Sequence, residues 1–224
     1  MPMSAYPKGK LDSVITEYFN VEKSGNDEYL ELNDKESLFF NAKGLLIEDW
    51  ASDYGDAEEG AFKDIYVYDS AGNYSQELRY SSKGKLTGNV SYSFDPVRRL
   101  VETKTVNTIR GRMLLDKAGN ILEDITYKEY PIAFSTTRYK YNEKQLCVES
   151  YQTWTNSTDM QKITYFYNAD NNLIKEVVIN DGKLLVTKTY SYEKFDKMHN
   201  WLIQKMYSNG RLSNVSERKI AYRK

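Results

Sequence analysis

The sequence predicts an all-β chain: an antiparallel meander of about eight β-hairpin repeats, laid out as a single-layer sheet that twists or curls. Three observations predict it. An aromatic residue followed by Asp or Asn and then a turn recurs about every 25 residues. The stretches between turns alternate apolar and polar with period two. No stretch of useful length carries the i, i+3, i+4, i+7 spacing of an amphipathic helix, so helix is expected below about 10% of residues.

Taken in order, the turn anchors are Phe19-Asn20, Phe40-Asn41, Tyr68-Asp69, Phe94-Asp95, Leu115-Asp116, Tyr141-Asn142, Tyr167-Asn168 and Phe195-Asp196, at steps of 21, 28, 26, 21, 26, 26 and 28 residues. Asp or Asn can cap such a turn through its side chain, while Gly or Asn supplies the positive φ that a tight reversal needs. Gly72 and Gly119 occupy that place, and Pro96 fixes φ after Asp95. A second reversal follows at Gly84, Gly111, Gly182 and Gly210, which lie 16, 17, 15 and 15 residues beyond their anchors. Each unit therefore reads as two strands and two turns, giving fourteen to sixteen strands in one domain spanning residues 1–224. Between the turns, Leu86, Val90, Tyr92 and Phe94 alternate with Thr87, Asn89, Ser91 and Ser93. Three interruptions are expected: a long acidic loop from Asp49 to Gly60, a strand stop at Pro131, and a polar loop over residues 153–159.

Composition narrows the function classes. Lys plus Arg (31) and Asp plus Glu (32) nearly cancel, so no global field favours nucleic acid or an anionic membrane. The single cysteine, Cys147, excludes an intrachain disulfide and reads as an inert strand thiol. No run approaches the roughly 18 apolar residues of a helical span, and Met1–Ala5 lacks the features of a signal peptide. A Cys-His or Ser-His-Asp site would need the one histidine, His199, as its base, and His199 reads as a turn residue; no zinc centre can be assembled from one His and one Cys, and no phosphate-cradling glycine loop is present. No catalytic residue and no cofactor is assigned.

Two speculative sites remain. Asp49, Asp53 and Asp56, with Glu58 and Glu59 beside them, could bring oxygens onto calcium, although their spacing fits no EF-hand. Trp50, Tyr54 and Trp154 could stack on sugar rings as carbohydrate-binding proteins do. If the sheet is open, the tyrosine face that includes Tyr141, Tyr167 and Tyr192 becomes a partner-binding surface. The charges Glu217, Arg218 and Lys219 on the last strand would then oppose edge pairing, so a monomer is expected.

Tyr66-Val67-Tyr68-Asp69-Ser70-Ala71-Gly72-Asn73, Tyr165-Phe166-Tyr167-Asn168 and Tyr190-Ser191-Tyr192 resemble the tyrosine-aspartate (YD, or Rhs-type) repeat, over nearly the whole chain. Two features depart from that family: the period is longer, and no self-cleaving aspartate motif follows the repeats. The Phe195–Trp201 ending is similar to secreted or lipid-anchored proteins of Bacteroides-like bacteria. The resemblance implies a non-enzymatic, extracytoplasmic bacterial protein (periplasmic, surface or secreted), its signal lying ahead of Met1, whose sheet binds a protein or glycan. The alternatives are a carbohydrate-active or calcium-dependent enzyme built on residues 49–59, and a cytoplasmic location.

Overall fold

The structure is a computed structural model that describes residues 7–24, 27–53, 61–106 and 108–223. Among these residues it contains sixteen strands and no helix: β1 (Leu11–Ser24), β2 (Asp27–Phe40), β3 (Leu46–Asp53), β4 (Phe62–Tyr68), β5 (Tyr74–Tyr80), β6 (Leu86–Asp95), β7 (Leu100–Thr105), β8 (Thr108–Leu115), β9 (Ile121–Glu129), β10 (Ile132–Tyr141), β11 (Cys147–Trp154), β12 (Met160–Tyr167), β13 (Leu173–Asn180), β14 (Lys183–Phe195), β15 (Trp201–Ser208) and β16 (Arg211–Tyr222). Each strand is bonded to its predecessor and its successor, and β1 is bonded to β16, so the hydrogen-bond order closes on itself. The single-layer open sheet of eight hairpins is thereby corrected to a closed sixteen-stranded antiparallel barrel. Closure is what removes the two unpaired edges that an open meander leaves to solvent. The seam runs over nine register pairs from Leu11↔Tyr222 to Asn20↔Asn214, with Glu217, Arg218 and Lys219 paired inside the ladder rather than guarding an edge.

The turns explain why the repeat is regular. In the Asp116 turn the Asp116 carboxylate accepts the backbone N–H of Ala118 (2.8 Å) and of Asn120 (2.9 Å). Asn41, Asn142, Asn168 and Asp196 make the same two bonds to residues two and four ahead. The residue three places after the cap has positive φ, whether it is Gly119 (90°), Gln145 (63°), Asn171 (66°) or His199 (60°). His199 is therefore a turn residue. After these turns the register slips by one, as between Leu114 and Leu115 or Lys140 and Tyr141, and a bulge of this kind brings the anchor aromatic and the first residue beyond the turn to one face.

Three expected elements differ. Phe19-Asn20 does not turn, because β1 runs on through it. Gly111 lies inside β8 opposite Thr103 and Thr126, and the reversal falls instead after Thr105. The expected acidic loop is strand β3 as far as Asp53; Tyr54, Asp56, Glu58 and Glu59, like Gly25-Asn26, lie outside the described residues.

The strands fall into two compact units, one formed by the stretches up to Asn89 and from Tyr190, the other by Val90–Thr189. In the first, Leu11, Val14 and Phe40 are buried against Leu38, Leu46, Ile220 and Tyr222. In the second, Cys147, Tyr165 and Val178 are buried, and the Tyr165 hydroxyl shares a 3.1 Å hydrogen bond with Ser150. Anchor tyrosines rivet successive units together: Tyr68 donates to the Leu46 carbonyl (2.6 Å), Tyr141 to Ile121 (2.9 Å) and Tyr167 to Cys147 (2.8 Å). The opposite face carries ion pairs in mid-strand, among them Lys63–Glu48 (2.8 Å) in the first unit and Arg112–Glu102 (2.6 Å), Arg138–Glu123 (2.7 Å) and Lys162–Glu149 (2.5 Å) in the second. Lys162, Tyr151 and Lys140 together hold the Glu149 carboxyl down to about 2.

Candidate functional site

Strand β3 presents its alternate residues to opposite faces, and this separates the candidates that lie side by side in sequence. Trp50 lies on the face that carries the ion pairs. Its register partners are Ser37 on β2 and Lys63 on β4. The Lys63 ammonium lies 5.0 Å from the centre of the indole ring, and the indole N–H donates to Glu48, which is also paired with Lys63. Partial burial of Glu48 would raise its carboxyl, but bonds from Lys63 and Trp50 bring it below the ordinary carboxylate value. Every polar atom at the edge of the ring is therefore engaged, while the indole itself stays 40% exposed.

Beside it lies a cleft of about 370 Å³, lined by Lys35, Ser37, Phe39, Trp50, Ala51, Ser52 and Ala61. Two aromatics on adjacent strands bracket two hydroxyls, and the Lys35 ammonium, 3.2 Å from Glu17, stands at the rim. Such a lining offers an apolar platform together with donors and acceptors at its border. Phe39, Ser37 and Ser52 were not singled out by sequence reasoning. The signal that could have found them is the period-two alternation of β2 opposite Trp50.

Asp49 faces the other way, across from Leu38 on β2 and Asp64 on β4. Arg79 grips Asp64 with two bonds of 2.8 and 2.7 Å, and Asp64 is only 3% exposed. Burial, followed by the negative charges of Glu36 and Asp64, pushes the Asp49 carboxyl up to about 7, and its Oδ1 atom has no hydrogen-bond partner. Glu36, which accepts from the Tyr18 hydroxyl at 3.3 Å, is also raised by burial. On the same face Arg218, stacked 3.5 Å from the centre of the Trp201 ring, is lowered to about 10 by burial.

Of the expected calcium set only Asp49 and Asp53 belong to a described strand, and Asp56 lies outside the described residues. Asp49 and Asp53 are four residues apart on one extended strand, about 13 Å, whereas one calcium ion needs oxygens within about 2.6 Å. Among the described residues no group of three His, Cys, Asp or Glu side chains could hold a metal ion. Trp154 ends β11 opposite Ser135, far along the chain from the Trp50 cleft and in the other unit. Tyr141 and Tyr167 spend their hydroxyls on backbone carbonyls, and Tyr192 accepts from Gln204 Nε2 at 3.0 Å with its ring 5.7 Å from Trp201. Cys147 is buried, and burial pushes its thiol up, as expected of an unreactive strand cysteine.

No protein-family model and no curated protein matches the sequence. Among solved structures, the chain is similar to a porin-like protein from Bacteroides uniformis, with TM-score 0.56 and 11% identity over 96% of this chain and 99% of that one. The shared feature is the fold, a closed antiparallel barrel. The Tc holotoxin pore of Photorhabdus luminescens aligns with 80% of this chain and 12% of its own at TM-score 0.35, and the TcdB2-TccC3 structure without its hypervariable C-terminal region aligns at 0.34; neither likeness carries an argument. The expected tie to Bacteroides-type β proteins thus has a counterpart in the barrel, while a tie to the YD shells does not follow.

Proposed function

We propose that this chain is a non-enzymatic, extracytoplasmic bacterial barrel that binds a glycan in the cleft beside Trp50. The observation that carries the reading is the pairing of an exposed, rigidly held indole with Phe39, Ser37 and Ser52 around one cleft. A pyranose ring presents an apolar face and a hydroxylated edge, and this lining meets both. The porin-like character of the fold neighbour supports an extracytoplasmic setting. Catalysis by an Asp49–Asp64 carboxylate pair is disfavoured: the carboxyl opposite Asp49 is Asp64, which is buried and doubly bound by Arg79.

A glycan array followed by titration of any hit tests the proposal. Trp50→Ala is expected to weaken binding at least about tenfold, the worth of one good stacking contact, while Trp154→Ala leaves it unchanged. Absence of binding across the array, or equal affinity in Trp50→Ala, would sink it. Release of reducing sugar from a bound glycan would move the protein to the enzymatic alternative.

A further inference from the structure

In an antiparallel meander alternate connections fall at the same end. One end of the Val90–Thr189 unit carries the Asp95, Asp116, Asn142 and Asn168 turns, which are short and capped by their own side chains, with Val97 (92% exposed) at the tip of the first. The other carries the β7–β8, β9–β10, β11–β12 and β13–β14 connections, and there large apolar side chains stand in solvent: Val106 (89% exposed), Leu184 (65%) and Leu185 (61%), with Ile132, Phe134 and Met160 beside them. Neighbouring connections are joined into a continuous rim. Arg110 donates to the Lys128 carbonyl (3.4 Å), Thr155 N–H to the Phe134 carbonyl (3.1 Å), and Asp181 N–H to the Met160 carbonyl (3.0 Å), while Met160 N–H returns a bond to the Asp181 carboxylate (2.8 Å).

We propose that this apolar rim is a self-association surface that docks on the same rim of a second copy of this chain. Area favours that occupant. At roughly 100 Å² apiece the six side chains offer about 600 Å² per copy, and about 1,200 Å² between two copies, which reaches the lower limit of specific interfaces. Charge favours it as well. Arg110, Lys128 and Lys183 are matched on this end by Glu129, Asp159 and Asp181, all exposed. A balanced rim can face itself across a two-fold axis, whereas an anionic bilayer recruits through a basic excess. The contact replaces the monomer expected from an open sheet and does not depend on the glycan cleft.

Sedimentation velocity across a concentration series is the test. The expected result is a monomer–dimer equilibrium with a dissociation constant in the micromolar range, as suits a small interface. The double variant Leu184→Asp, Leu185→Asp should raise that constant at least about tenfold without moving the melting temperature, whereas Leu114→Asp in β8 should leave it alone. If the aspartates disturb folding, Leu184→Ser with Leu185→Ser replaces them. Leu184→Cys adds an exposed thiol to a chain whose own Cys147 is buried, and mild oxidation should then yield a covalent dimer. A monomer at every concentration, or a dimer indifferent to both double variants, overturns the proposal. So does rim-dependent flotation with phosphatidylcholine or phosphatidylserine vesicles by a chain that stays monomeric in solution.

Discussion

A tyrosine in this chain does more than cover apolar surface. The hydroxyls of Tyr68, Tyr141 and Tyr167 each reach back 20 to 22 residues to a backbone carbonyl of the preceding unit. Tyr167→Phe keeps the ring and deletes only that bond, so urea denaturation should show a loss of about 1 kcal/mol. Gly111 illustrates a different constraint. A Cβ there would lie 2.8 Å from Thr103 Oγ1 and 3.1 Å from the Ile125 carbonyl oxygen, so Gly111→Ala should destabilise by about 1–3 kcal/mol through overpacking of the backbone. Asp49 supplies a pH dependence. Its folded-state value near 7 lies above that of an unfolded aspartate, so the folded chain holds the extra proton between about pH 4 and 7. The associated stability is fully present below about pH 4 and is lost as pH rises through 7. Melting temperatures should therefore fall from pH 5 to 8 in the wild type, and Asp49→Asn should flatten that slope. At this scale the sequence was readable where a residue type has one use: Gly72, Gly84, Gly119, Gly182 and Gly210 all have positive φ, as expected. It was not readable where two uses compete. Gly111 looks like a turn glycine beside two arginines, and only the three-strand packing around it reveals why a side chain is excluded.

At the scale of elements, the unit that repeats is a side-chain-capped turn followed by a bulge. Asp116→Ala removes the acceptor for two backbone N–H groups and for the Asn120 side chain (2.8 Å), so it should lower the midpoint of thermal and urea melts. Asp116→Asn retains the acceptor and should recover most of the loss. The failures of sequence reading at this scale have local causes. Phe19-Asn20 and Phe40-Asn41 are the same dipeptide, but Val21 and Glu22 continue a strand where Ala42, Lys43 and Gly44 cannot. Residues 46–53 were hidden as a strand by their charge, because Asp49 occupies a half-buried position where an apolar residue was expected. Their separation into two faces also explains why Trp50 and Asp49, one residue apart, cannot serve one site. The Trp50 cleft was half legible: its indole was named, but its companions on β2 became visible only through the register Ser37↔Trp50.

At the scale of the whole molecule, one pairing separates the expected open sheet from the barrel. Among the described residues every other strand pairing joins sequence neighbours, so the local periodicity is the same in both; β1 against β16 is the pairing that turns the meander into a ring, and no local pattern encodes it. Removing β1 should leave one edge of β2 and one edge of β16 unpaired and replace cooperative unfolding by a broad, aggregation-prone transition, monitored by circular dichroism and light scattering. The seam also has a kinetic meaning. Successive hairpins close loops of about 25 residues, but the seam joins residues about 200 apart, roughly three doublings of loop length and so about 1.8 kcal/mol more in chain entropy. It is therefore the contact that forms last and opens first, the clasp of a necklace whose other links are made in passing. A clasp is a matter of connectivity and not of shape. Joining the ends and reopening the chain at the Asp116 turn would make β8 against β9 the distant pair, and the slow step of folding would travel with it around the ring.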